Sequence, residues 1–86
     1  MNINKLISTV KKKLESQIKL EKIIIEDKSF LHKDHPGNTH DRYHIKLTIN
    51  SIELSKMNKI ERTKKIYKIL DVELKTIIHS LQILIK

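Results

Sequence analysis

Apolar positions along the chain follow two distinct rhythms. Ile3, Leu6, Ile7, Val10, Leu14 and Ile18 recur at helical spacing, with Asn4, Lys5, Lys11, Lys12, Glu15 and Ser16 on the opposite side. That stripe predicts an amphipathic first helix. The next segment, KIIIED over 22–27, is too short and too rich in β-branched residues for a helix and predicts a strand. From 42 to 50 the pattern alternates strictly, with Tyr43, Ile45, Leu47 and Ile49 on one side and Arg42, His44, Lys46 and Thr48 on the other. A period of two predicts a strand with one buried and one wet face. Between these segments, 28–41 holds the only Pro and the only Gly, adjacent and followed by Asn38, among Asp, Ser and His. It reads as an exposed loop turning at Pro36-Gly37-Asn38, which makes the flanking strands an antiparallel pair.

The helical rhythm then returns. Ser55 can cap a helix whose inner side carries Met57, Ile60, Thr63, Tyr67, Leu70 and Leu74, and whose outer side carries Lys56, Lys59, Arg62, Lys65 and Lys68. The stretch Asp71–Lys75 reads as a separate last turn, and TIIHSLQILI over 76–85 as a third strand. A right-handed crossover from the second strand to the third makes those two parallel and puts both main helices on one sheet face. The expected fold is α+β, in the order α-β-β-α(α)-β, with a three-stranded mixed sheet. Without repeats or a linker, residues 1–86 read as a single domain.

Composition narrows the function classes. A chain of 86 residues supports one thin core. It has no cysteine, which excludes disulfides, thiolate metal sites and a cysteine nucleophile, and fits a reducing compartment. The N-terminal segment has no unbroken apolar run, and no stretch approaches the roughly 20 apolar residues needed to cross a bilayer. The expectation is a soluble cytoplasmic protein without membrane attachment. A net charge of +8 brings nucleic acid into view, yet of the 18 basic residues only Arg42 and Arg62 are Arg. Abundant Lys, Ile and Asn fits an A/T-rich coding bias, whereas phosphate or guanine recognition favours the planar fork of Arg. The charge therefore reads mainly as solvated surface, with Lys59, Arg62, Lys64 and Lys65 as candidate phosphate contacts. Base stacking needs aromatic platforms, and the chain has only Phe30, Tyr43 and Tyr67, the tyrosines predicted inward. No nucleophile elbow, phosphate loop or paired carboxylate site appears, so nothing supports catalysis.

Histidines carry the remaining chemistry. His32, His35, His40 and His44 lie within thirteen residues, and His79 stands apart. Imidazole is a borderline ligand for iron, copper or zinc, but the spacing matches no standard zinc pattern, and loop histidines are commonly solvated polar residues. By alternation His79 shares a face with Ile77, Leu81 and Ile83. It is then either a core histidine satisfied by a backbone carbonyl, or a residue at the open start of its strand whose ring reaches the loop. His44 falls on the wet side, as a surface residue or an auxiliary ligand.

These segments together resemble the BolA family over nearly the whole chain. Asp27-Lys28-Ser29 with His32 is similar to that family's D-x-S-x-x-H after the first strand, and Tyr43-His44-Ile45-Lys46-Leu47 to its S/T-H-F-x-V. Arg62-Thr63-Lys64-Lys65-Ile66-Tyr67 resembles R-H-R-x-V-Y, and Ile78-His79-Ser80-Leu81 resembles the closing V/I-H-A-L. Thr63 departs from the usual His, and Ile52-Glu53-Leu54 lacks the glycine of F-x-G. The resemblance implies the BolA fold, with a class II KH-like surface. It also implies a non-enzymatic partner of monothiol (CGFS-type) glutaredoxins that shares a [2Fe–2S] cluster with glutaredoxin cysteine and glutathione. The ligands it implies are His79 and His32; His35 and His40 match nothing in the pattern. A transcriptional regulator binding DNA through the basic second helix is the alternative the resemblance carries. The free protein is expected as a monomer or weak homodimer, with no cluster of its own.

Overall fold

The computed structural model describes residues 2–29 and 43–86. The predicted loop therefore lies, from Phe30 to Asp41, outside the described residues. Asn2 opens the first helix, α1 (Ile3–Gln17), its side-chain oxygen accepting the Lys5 N–H at 2.8 Å. Leu6, Val10 and Leu14 are fully buried, as the stripe predicts, and the helix ends where Ile18 turns to an extended backbone and buries its own side chain. Strands β1 (Lys22–Asp27) and β2 (Tyr43–Asn50) pair antiparallel, with Ile25 opposite Leu47. Strand β3 (Ile78–Ile85) runs parallel to β2, giving the order β1-β2-β3 with β2 in the centre. Ile45, Leu47 and Ile49 meet Leu6, Val10, Leu14, Leu54, Ile66 and Leu70 in one cluster, so the helices lie on a single face of the sheet. Ile24 and Leu84 remain 43% exposed on the other face. The expected architecture holds.

The helical segment after β2 differs from its predicted form. Instead of one helix capped by Ser55, a short α2 (Ile52–Ser55) and a longer α3 (Lys59–Ile69) are joined by a turn, followed by α4 (Asp71–Thr76). Ser51 caps α2, accepting the Leu54 N–H at 3.2 Å and donating to the Lys19 carbonyl at 2.8 Å. Asn58 caps α3 through the Glu61 N–H at 2.8 Å, and its amide also donates to the Glu61 carboxylate at 3.1 Å. Ser55 has a different role: its hydroxyl donates back to the Ile52 carbonyl. Because the chain turns between α2 and α3, a helical phase counted from Met57 does not carry through α3. Ile66 and Leu70 are the fully buried positions, while Ile60 and Tyr67, both predicted inward, are 68% and 43% exposed. Thr76 ends α4 rather than starting β3.

Two carboxylates tie the helices together. Glu53 accepts the Lys19 N–H and pairs with Lys65 at 3.2 Å, joining the exit of α1 to α3; the backbone bond, then the lysine, hold its carboxyl below the usual carboxylate range. Glu73 of α4 is 6% exposed and takes a 2.7 Å ion pair from Lys13 of α1. Its other carboxylate oxygen is buried, with no hydrogen-bond partner among the described residues. A carboxylate in that setting depends on its single cation. Lys13→Met should cost about 1–3 kcal/mol in urea unfolding, reduced from the fully buried case because Lys13 is part-exposed. The double variant Lys13→Met/Glu73→Met should recover most of that loss; additive losses would show that the pair is not coupled.

Candidate functional site around His79

Strict alternation would place His79 beside Leu81 and Ile83 on the core side. The strand does not alternate there. Tyr43 pairs with Ile78 and the next residue, His44, pairs with Ser80, so β3 carries one extra residue at His79. This bulge shifts the parity of the strand. Ile78 stays buried before it, Leu81, Ile83 and Ile85 pack on the core after it, and His79 and Ser80 are both exposed. The reading of His79 as a core histidine is thereby corrected, because the parity that supported it ends at the bulge.

His44 is corrected in the other direction. It lies on the side of β2 opposite Ile45 and Leu47, as predicted, but is only 6% exposed rather than a surface residue. Its ring Nδ1 lies 2.6 Å from the Ser80 hydroxyl, and its ring stands edge-on to that of His79, centroids 5.0 Å apart and planes at 66°. Its backbone is held as firmly. The N–H donates to the Ser29 hydroxyl at 3.1 Å, and the carbonyl accepts the Lys28 N–H at 2.7 Å. Ser29 is itself fixed by its N–H donating to Asp27 at 2.9 Å. The Asp27-Lys28-Ser29 segment thus ties the end of β1 to the start of β2, at the point where β3 bulges.

These contacts bring together two of the predicted site residues, His79 and His44, and add Asp27, Ser29 and Ser80. The sequence marked all three as parts of landmarks, Asp27 and Ser29 after the first strand and Ser80 beside His79 in the closing one, without giving any of them a role. His32, the other predicted ligand, and His35 and His40 lie outside the described residues. Among the described residues, no group of three or more His, Asp or Glu side chains could hold a metal ion unaided. The predicted phosphate contacts lie on α3: Lys59 and Lys64 are exposed, Arg62 is half-buried, and Lys65 is engaged by Glu53. A groove of about 550 Å³ between α1 and α3, lined by Lys13, Lys65 and Lys68 with Ile69, contains no histidine. No helix of the described chain is long and apolar enough to cross a membrane.

Comparison with known proteins shows the family and the fold of the chain. The family model for BolA-like proteins matches residues 14–86. Protein BOLA1, chloroplastic, from Arabidopsis thaliana is 33% identical over 82 residues; the match covers 92% of this chain and 51% of that protein. The chain thus spans about half the length of this curated relative. The structure of BolA1 from Arabidopsis thaliana superposes with a TM-score of 0.77 at 33% identity, covering 92% of this chain and 87% of that one. The BolA domain of SufE1 from the same plant superposes at 0.76 with 29% identity, covering 100% and 93%. BolA1 from Mus musculus, at 21% identity and a TM-score of 0.72 over 90% of this chain and 60% of that one, shares the fold.

Removing the Ser29 hydroxyl tests the clamp on β2. In Ser29→Ala the His44 amide should exchange with solvent about fivefold faster, the equivalent of one ordinary hydrogen bond, while the amides of Leu47 and Ile49 keep their protection. Equal exchange at His44 in the two proteins would show that Ser29 does not hold the strand.

Proposed function

The chain belongs to the BolA-like family, and from that membership we propose that it is a non-enzymatic adaptor that binds a monothiol glutaredoxin and shares a [2Fe–2S] cluster with it. The observation that carries this reading is the bulge that turns His79 outward at the start of an edge strand. The donor chemistry supports one half of a shared centre. Iron–sulfur clusters are held mostly by thiolates, but two imidazoles can serve one iron, as in Rieske centres. This chain has imidazoles and no thiol. His79 would be the strand-held ligand and His32, by the family resemblance, its companion. Glutaredoxin cysteine and glutathione would serve the other iron. Such a centre supplies one-electron chemistry or is itself passed on; the residues of this chain bind and orient it. The setting is a reducing compartment, the cytoplasm.

Anaerobic reconstitution of the mixed complex tests the assignment. His79→Ala should alter the visible absorption strongly, His32→Ala in part, and His35→Ala hardly at all, because a ligand on a rigid element holds its geometry best. A mixed complex with the spectrum and lifetime of wild type in His79→Ala would remove His79 from the ligand set.

One observation favours a second reading, a nucleic-acid-binding regulator. Tyr67, predicted inward, is exposed on the same helix as Lys59 and Lys64. An aromatic face among cations is the arrangement that stacks single-stranded bases. On this reading Tyr67→Ala should cost about 1–3 kcal/mol of binding to a single strand, and a Lys59→Gln/Arg62→Gln/Lys64→Gln variant should flatten the salt dependence by roughly two to three units. Binding unaffected by either change would leave α3 as solvated surface.

A further inference from the structure

A histidine displayed by a bulge on an edge strand gains exposure but risks losing direction. Its χ1 has three staggered wells, and among the described residues the strand that bears it is paired on one side only. Ligands work when they are held within about 0.5 Å and 10–20° of the productive geometry by neighbours that are themselves fixed. We propose that His44 is a positioning residue for the His79 imidazole, and that Ser80 is the anchor that fixes it. The inference deepens the adaptor reading and rests on His79 being a ligand there.

Three observations support the assignment. First, His44 is clamped at three points: its N–H by Ser29, its carbonyl by Lys28 and its ring Nδ1 by Ser80. Second, the clamped ring forms a wall against His79 in the edge-to-face geometry that aromatic rings favour. Third, the anchor is the residue next to His79, inside the bulge itself. Ser80, and not His79, takes the register position opposite His44, so the bulge that leaves His79 as the extra residue also seats the anchor. The contact of Ser80 with His44 and the display of His79 thus go with one backbone irregularity. With 6% of its surface exposed, His44 offers little for a partner to touch, which gives it an indirect role. The Ser80 contact also fixes a property of the His44 ring. The hydroxyl can donate to Nδ1 or accept from it, so the contact sets the position of the ring, and its loss changes the balance of the two tautomers.

The test begins with the free protein, isotopically labelled and held at one pH. Three-bond couplings report the χ1 averaging of His79, and long-range proton–nitrogen correlations report the His44 tautomer. Wild type should show one dominant His79 rotamer. Ser80→Ala should change the tautomer ratio of His44 and move the His79 couplings toward rotamer-averaged values, with the amide spectrum of the core unchanged. Ser80→Thr, which keeps the hydroxyl, should restore both. His44→Phe keeps a ring at the wall without the anchor, and should also loosen His79. In the reconstituted mixed complex, Ser80→Ala should change the shape of the visible circular dichroism at equal cluster content and speed cluster loss in air by about fivefold, with Ser80→Thr close to wild type. His79 couplings identical to wild type in both Ser80→Ala and His44→Phe would overturn the proposal. A wild-type spectrum in His79→Ala would overturn the ligand role instead, and the couplings in the free protein keep those two failures distinct.

Discussion

A strand has only two faces, and β3 must satisfy both ends of a core that do not share a parity. Ile78 is buried at its start, while Leu81, Ile83 and Ile85 pack inward further along. Even and odd positions can both face the core only if the strand gains a residue between them. That residue is His79. The apolar requirements of the core thus place the most reactive side chain of the strand on the outside, without any residue being dedicated to holding it there by charge. The core that imposes this is thin, so each buried aliphatic carries a large share of it.

Around the bulge, short polar side chains convert a geometric accident into a defined arrangement. Asp27 orders Ser29, Ser29 takes the His44 amide, and Ser80 takes the His44 ring. These bonds link all three strands at one end of the sheet. Buried polar groups are tolerated when they are satisfied, and satisfied networks specify a unique geometry. The opposite device operates among the helices. There Glu73 is buried with a single cation from α1, and Glu53 bridges α1 and α3 at the surface. Carboxylates connect the helical layer, and hydroxyls and imidazoles connect the sheet.

The positive charge is spread differently from the histidine chemistry. Lys13 and Lys65 are engaged by Glu73 and Glu53, and so serve the fold before any ligand. Lys59 and Lys64 stand exposed on α3 beside Tyr67 and Ile60. The exposed apolar residues arise because α3 takes its phase from Asn58 and not from the turn before it. The basic helix and the bulged strand belong to different layers of the molecule, so the two functional readings are separable by substitution.

The amphipathic stripe of α1, the alternation of β2 and the β-branched character of β1 and β3 were sufficient to specify the elements and their order. Hydrophobic periodicity is a local property, and each of these segments keeps one phase throughout. Family landmarks were equally local: Asp27, Ser29, His44 and His79 could be picked out as residues from the sequence alone. Their surroundings could not. The bulge at His79 depends on the register between β2 and β3, strands joined through three helices, and no pattern within 78–85 reveals a change of parity. The phase of α3 depends on a turn whose place is set by which of Ser51, Ser55 and Asn58 finds a backbone N–H to cap. The bond between His44 and Ser80 spans 36 positions and exists only once the parallel pair has formed. Sequence alone determined the elements and the reactive residues. The tertiary structure decided which of those residues is buried, which is displayed, and what holds each in place, because register and long-range pairing arise only when distant segments share one core.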